Sequence, residues 1–493
     1  MSRTDSIPSN RSDPGADTPE NTLRAAEQRG IEPVPRDEQR GNPMELFWVW
    51  FAANISVLGL PLGVSLVALG LSIWQAVLVA FLGAFGSFAI VGLISIAGRR
   101  GGAPSLTLSR ATFGTRGNIG PTAIALLSRL GWETVNTATA ALAFVTLCSL
   151  LFGTAGAAQQ APVATVIGVA LFVACTVAVS GMGHATILVV QKWATWVFGA
   201  MNLVILVVLL TTIDWSAVVD ASPGSTAMVI TGIGTIAAGT GIGWANSGAD
   251  MARYQSPAVR GWSLVLSAAA GAGIPLVVMI SMGSMIGASH AAVVTSPNPM
   301  DAIRDTLPSG LAVAYLAISF IGLLLSNHLS VYSAGLTTLT LGIRVKRTAA
   351  VIVDVVVTTT ASLCFLLIAD GFYGPFISFI SLLAVPITAW IGVFVVDMIG
   401  RTSYDSRALL DLSSTSRYFY RGGIRWVAFA PWLIAIATAA LFMQIQPAES
   451  PWYTGPFFDT WIGQNGMAWV VSLVLAGVLY LICGGARHRE DGQ

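Results

Sequence analysis

Arg129, Glu133 and Asn136 recur at i, i+4 and i+7 in an apolar stretch, with Trp132 set among them. On a helix that spacing places the cation, the acid and the amide on one face. Such a face can hydrogen-bond a polar heterocycle, pass a proton, or hold an ion pair that only ties helices together. The stretch begins near residue 119, so Trp132 lies about 20 Å along it at 1.5 Å per residue. If the stretch crosses a bilayer, that is mid-depth, where an ionisable group is costly unless paired or hydrated and is a functional candidate by default.

A second set of candidates sits where helices break. Leu46–Leu69 carries Asn54, Gly59, Pro61 and Gly63 in its middle; Met228–Asp250 carries Gly239, Gly241, Gly243 and Gly248 around Trp244 and Asn246. A spanning helix satisfies its own backbone, so helix-breaking residues at mid-depth belong where the chain lines a cavity or is covered by protein. Trp244 stands nine residues, roughly 13 Å, from the inner-boundary Arg253. It is therefore off the headgroup level that tryptophan prefers. Trp132 and Trp244 suit a flat ring stacked between indoles, with Gly243 and Asn246 at its edge; bulky packing in a helix bundle is the plainer alternative.

A third stretch holds Gly322, Leu325, Ser326, Asn327, His328, Ser330, Tyr332 and Ser333. Its hydroxyls and amide could face the first broken helix and help hold a cation, or form interhelical hydrogen bonds. His328 could carry a proton or be a neutral buried histidine. Asp250 and Arg253, at i and i+3, read as a local pair or part of an inner gate. Asp354, early in its stretch, is expected to snorkel or pair with inner-loop Arg or Lys.

The elements that must position these residues are membrane spans. Hydrophobic residues are 54% of the 493 and charged residues 10%, against about 25% charged in a soluble domain. Stretches of roughly 20 apolar residues match the hydrocarbon core, and twelve are expected: about 45–70, 73–97, 119–149, 161–181, 187–212, 227–250, 261–287, 309–341, 348–369, 375–399, 424–445 and 465–484. With the N-terminus inside, the outer loops hold Arg304 as their single basic residue and carry Asp214, Asp220, Asp301, Asp305, Asp370, Glu449 and Asp459; the inner segments are basic throughout, from Arg99 and Arg100 to Arg487 and Arg489. That is the positive-inside pattern, so a multi-pass plasma-membrane protein with both termini cytosolic is expected.

The two broken spans are five apart, an odd offset that makes equivalent helices cross in opposite directions. This is the trace of an inverted-repeat secondary transporter with its site where the broken helices meet. The domains expected are a disordered cytosolic tail at 1–43, a transport core at 44–400 (spans 1–10), a cytosolic loop with spans 11–12 at 401–484, and a cytosolic tail at 485–493. The first segment is polar and nearly free of aromatics, and no leader-like n-region and apolar core begin the chain. No P-loop, nucleophile–base set or metal-ligand cluster is seen, and Cys148, Cys175, Cys364 and Cys483 form no motif. ATP-driven transport, an enzyme and a resident cofactor are therefore not expected. Neither is a nucleic-acid partner at net charge +1. A continuous polar pore is missing, which disfavours a channel, and a 43-residue tail is short for the output domain of a membrane sensor.

Together these residues make the chain resemble the nucleobase–cation symporter family, in its purine–cytosine permease branch. The resemblance runs through Trp50-Phe51-Ala52-Ala53-Asn54, Ser109-Arg110-Ala111-Thr112-Phe113-Gly114, Gly131-Trp132 with Asn136, Gly243-Trp244-Ala245-Asn246 through Asp250-Met251-Ala252-Arg253-Tyr254, and Asn327 with Tyr332-Ser333-Ala334-Gly335-Leu336. What it implies is an all-α fold of the leucine-transporter type, with twelve transmembrane helices, a five-plus-five inverted repeat and broken helices 1 and 6. The implied function is cation-coupled import of a nucleobase by alternating access, working as a monomer. Hydantoin, allantoin, thiamine and pyridoxine are the alternative cargoes.

The resemblance further implies a base stacked between Trp132 and Trp244, with polar contacts from Arg129, Asn136, Gly243 and Asn246. It implies a cation position around Ala53 and Val57 of span 1 and Gly322, Leu325 and Ser326 of span 8, with Asn327 beside them. Arg129 departs from the amide of the family's cytosine carriers. Leu325 departs from a sodium-site hydroxyl and offers no oxygen ligand, which favours H+ over Na+ with Glu133 as carrier; a transported Na+ would be the only metal.

Overall fold

The computed structural model describes residues 29–180, 184–295, 299–343, 347–368, 373–447 and 450–485. Most of the N-terminal tail, the C-terminal tail from 486, and Arg344, Lys346, Asp370 and Glu449 lie outside the described residues. Fourteen principal helices follow in order: α1 Pro43–Asn54, α2 Gly59–Ala68, α3 Ile73–Gly101, α4 Ser105–Phe113, α5 Ile119–Phe152, α6 Pro162–Ser180, α7 His184–Thr211, α8 Thr226–Ala237, α9 Gly261–Ser289, α10 Ser309–Thr340, α11 Arg347–Leu367, α12 Tyr373–Gly400, α13 Trp426–Ala440 and α14 Ala468–Ile482. Two-residue strands, β1 Gln444–Ile445 and β2 Tyr453–Thr454, pair antiparallel between α13 and α14.

Seven helical segments are long and apolar enough to cross a membrane, and α1 with α2 makes an eighth span bent by 63°. Four shorter apolar helices, Pro162–Ala178, Thr195–Thr211, Trp426–Ala440 and Ala468–Ile482, fall where the other four spans are expected. Length and composition alone thus qualify eight of the twelve.

Local chemistry sets the ends. Asn42 caps α1, accepting from the Met44 and Glu45 amides while Glu45 reaches back, and Pro43 opens the helix, a reciprocal capping box. Gly102 ends α3 and Gly153 ends α5 in the left-handed region that a Cβ disfavours. Between α1 and α2 the chain leaves helical hydrogen bonding at Ile55–Leu58. The half-helix after the break is held by close backbone packing on α9: a Cβ at Gly63 would overlap Ile280 O, and one at Gly283 would overlap Leu60 O. Ser284 Oγ donates to Gly63 O at 3.0 Å.

Residues 29–42 correct one expectation. The disordered tail was expected to run to 43, yet this segment docks against the C-terminal end of α3 and residues 253–256. Val34 N donates to Gly102 O at 2.8 Å, Gly41 N to Tyr254 O at 2.9 Å, and Ser256 N to Gly41 O at 2.9 Å. Gln39, 3% exposed, donates to Arg253 O at 3.1 Å. The segment is polar and has little core of its own; it is ordered by satisfying backbone groups at helix ends that would otherwise be orphaned.

Candidate functional site

The second break carries the site. After α8 the chain widens into a π turn at Ala238–Ile242, where Thr240 leaves helical geometry (φ −129°, ψ −105°), then tightens into a 3-10 turn at Ala245–Ser247. Ser87 of α3 satisfies the freed backbone: Gly241 N donates to its Oγ at 3.1 Å, with Thr240 Oγ1 3.3 Å away. A Cβ at Gly241 would lie 2.7 Å from Phe88 N, so this close approach requires glycine.

Arg129 reaches the break from α5. Its Nη2 donates to Gly243 O, and its Cζ lies 4.3 Å over the Trp244 ring, a cation–π geometry. Trp50 of α1 meets Trp244 edge-on, centroids 5.4 Å apart. Trp132 is half-buried; its Nε1 would stand 3.0 Å from a Cβ at Gly243. Asn136 Nδ2 donates to Asn327 Oδ1 at 3.4 Å, and Asn327 donates to Thr176 Oγ1 at 3.2 Å. Asn246 Oδ1 accepts from Ser247 Oγ at 3.3 Å. Of the residues expected to bind substrate, Arg129, Trp132, Gly243, Trp244 and Asn246 therefore converge on one break, while Asn136, on the same face of α5, meets Asn327 of α10. Arg129 Nε and Nη1 and Asn246 Nδ2 are buried there, and Asn136 Oδ1 further along α5, with no hydrogen-bond partner in the protein.

Glu133 turns elsewhere. No ion pair within 4 Å joins it to Arg129; its carboxyl meets that of Asp354 on α11, with Ser330 of α10 beside it. Glu133 is 0% and Asp354 3% exposed. Asp354 is buried rather than snorkelling, and among the described residues no inner-loop cation pairs with it; its helix packs against α5 and α10. Ser362, two turns on, donates to Thr134 O of α5 at 3.3 Å.

The cation candidates are brought partly together. A Cβ at Gly322 would be 3.9 Å from Ile55 O and 3.8 Å from Ser56 Cα, so α10 faces the α1–α2 break. Val57 O accepts from Leu60 N at 3.0 Å. Ala53 is buried, Ser326 half-buried, and Asn327 engaged with Asn136 and Thr176 as above. Among the described residues no group of three or more His, Cys, Asp or Glu could hold a metal ion.

Below the break the gate candidates take separate partners. Asp250 accepts from Ser333 Oγ at 2.6 Å and Ser105 N at 2.8 Å. Arg253 donates to Tyr332 OH at 2.9 Å and to Gly30 O at 2.6 Å. Arg110 of α4, outside the spans, donates to Leu409 O and Thr340 O at 2.7 and 2.6 Å; burial pulls its guanidinium down to about 10, still charged at neutral pH. Sequence reasoning missed Ser87, the edge contact of Trp50 and the partner of Glu133; a serine facing a glycine-broken helix was the available signal for the first.

A family model described as "Permease for cytosine/purines, uracil, thiamine, allantoin" matches residues 33–468. The Bacillus subtilis (strain 168) protein YxlA, whose name places it with purine-cytosine permeases, is 24% identical over 477 residues, covering 94% of this chain and 97% of that one. The purine-cytosine permease FCY2 of Saccharomyces cerevisiae is 26% identical over 262 residues, 52% of this chain and 48% of its own length. Among solved structures, Mhp1, a nucleobase-cation-symport-1 family transporter in a closed conformation with bromovinylhydantoin bound, superposes with TM-score 0.70 at 21% identity over 92% of this chain and 94% of its own. MhsT in complex with L-phenylalanine gives 0.54 at 16% identity, covering 91% and 99%. These likenesses establish the inverted-repeat transporter fold with broken helices.

Proposed function

This chain belongs to the family of permeases for cytosine/purines, uracil, thiamine and allantoin, transporters rather than enzymes, and from that premise we propose that it imports cytosine or a purine by proton-coupled alternating access. The observation that carries the reading is the group of unsatisfied polar atoms at the second break and along the facing side of α5: Arg129 Nε and Nη1, Asn246 Nδ2 and Asn136 Oδ1. Each buried, unpaired polar group costs about 1–3 kcal/mol, so several around one broken helix mark a site completed by a polar ligand. A nucleobase supplies what they lack, a flat ring for Trp132 and Trp244 and an edge of alternating acceptors and donors. Gly243 fits the same role, since a side chain there would push Trp132 aside.

The membrane is the plasma membrane and both termini are cytosolic, as the basic inner loops favour. Asp250 and Arg253 belong to the gate on the cytosolic side of the site. Proton coupling is favoured over sodium because Leu325 presents an apolar side chain at a candidate cation position and hard cations need oxygen ligands. Glu133, next to Arg129 on α5, is the carrier.

The test is uptake of labelled cytosine, adenine, hypoxanthine, uracil and allantoin into vesicles with imposed proton or sodium gradients. Cytosine or a purine should accumulate under an inward proton gradient without sodium. Strict sodium dependence at constant pH overturns the coupling; accumulation of allantoin but no base overturns the substrate.

A further inference from the structure

We propose that Glu133 and Asp354 together form the proton-carrying site, one proton being held between the two carboxyl groups and released when the site opens to the cytosol. The proposal rests on the proton-coupled reading above and adds a residue that the sequence placed elsewhere. The two acids come from α5 and α11 and meet inside the bundle, 0% and 3% exposed. None of their four oxygens receives a hydrogen bond from an N–H or O–H of the protein. Glu133 is faced by Asp354, by Arg129 on its own helix and by the Ser330 hydroxyl of α10; Asp354 is faced by Glu133.

Charge balance sets the proton count. Two bare carboxylates side by side in a dry interior repel each other and lack donors, a state that neutralises itself by taking up a proton. With one proton between them, the pair carries one negative charge against the single positive charge of Arg129, and the buried cluster is neutral. The shared hydrogen also gives one carboxyl a donor and the other a partner. Loading forms one O–H bond from a proton of the outer medium; unloading breaks it and hands the proton to cytosolic water.

Position gives the pair its link to substrate. Arg129 connects the pair to the site, since the guanidinium that balances it also holds Gly243 O and covers Trp244. Loss of the proton leaves a net negative charge beside Arg129 and favours drawing it off the broken helix.

The experiment compares parent, Glu133→Gln, Asp354→Asn and the double variant in proteoliposomes, alongside infrared spectra of the purified proteins. Asp354→Asn should insert normally, because one carboxylate still balances Arg129. It should lose accumulation driven by a pH gradient while retaining base exchange between equilibrated compartments, as should Glu133→Gln. The parent should show the carbonyl band of a buried protonated carboxylic acid, and either single variant should lose it. Proton-driven accumulation in Asp354→Asn equal to the parent overturns the pair and leaves Glu133 as sole carrier. A parent driven by sodium alone overturns proton coupling itself. Should Asp354→Asn fail to insert, absence of the carboxylic-acid band from the parent still refutes the shared proton.

Discussion

Two sets of buried acids in this protein are built in opposite ways. Asp397, at the C-terminal end of α12, is 0% exposed and saturated with donors. Arg401 Nε and Arg425 Nη1 lie 2.8 and 2.9 Å from its oxygens, Thr112 Oγ1 donates at 2.9 Å, and the Tyr480 hydroxyl donates as well. Those donors come from α4, the start of α13 and α14, so one carboxylate ties α4 to the last two apolar helices. Glu133 and Asp354 are equally buried and receive no such donor. A buried charge with every lone pair used has no reason to take a proton and acts as a fixed rivet. A buried acid without donors is a group whose charge can change, and in a membrane interior that marks function.

The largest expected effect tests the poorly satisfied side of the comparison. Arg129→Gln/Glu133→Gln removes a cation and an acid, and Asp354 can stay neutral by keeping its proton. The double variant should reach the membrane at parent levels yet take up no base; recovered uptake would make Arg129 and Glu133 structural and erase the distinction. Asp397→Asn tests the other side. It leaves the partly buried Arg401 and Arg425 around a neutral amide, and breaking a buried pair costs up to about 3–5 kcal/mol. Thermal unfolding in detergent should show a clear loss of stability; an unchanged midpoint would mean that Asp397 is no rivet.

Trp132→Ala and Trp244→Ala should each weaken base binding by about 1–3 kcal/mol, the range for base–aromatic stacking, without disturbing the Asp397 cluster. Isothermal titration with unchanged affinity in a well-inserted variant would remove that tryptophan from the site. The smallest effect sharpens the comparison by degree. Thr112→Val deletes one neutral donor of four from Asp397 and should cost about 0.5–1.5 kcal/mol, with transport intact. A loss as large as that of Asp397→Asn would show the hydroxyl, not the arginines, to be the main tie.

Much of the site was legible along the chain because its signals are local. Glycines at 239, 241 and 243 announce a broken helix wherever it packs, since the freed backbone is a property of those residues themselves. The i, i+4, i+7 spacing of Arg129, Glu133 and Asn136 follows from helix geometry, and apolar length marked the spans, eight of which meet the length and composition of a crossing helix. Composition also drew the tail boundary, and there it erred. Residues 29–42 are polar and lack a core, yet helix ends left unsatisfied at Gly102, Arg253 and Tyr254 recruit them.

What tertiary structure alone decided is which helix comes to meet each face. The shared face of Arg129 and Glu133 suggested that they pair; instead Arg129 turns to Gly243 and Trp244, and Glu133 turns to an acid far along the chain. Asn136 finds Asn327, and Asp397 collects donors from three other elements. A helical repeat gives the direction of a side chain about its own axis, but the partner in that direction depends on the packing of the whole bundle. Whether a buried acid becomes a rivet or a proton site is decided at that level, by the donors its neighbours bring.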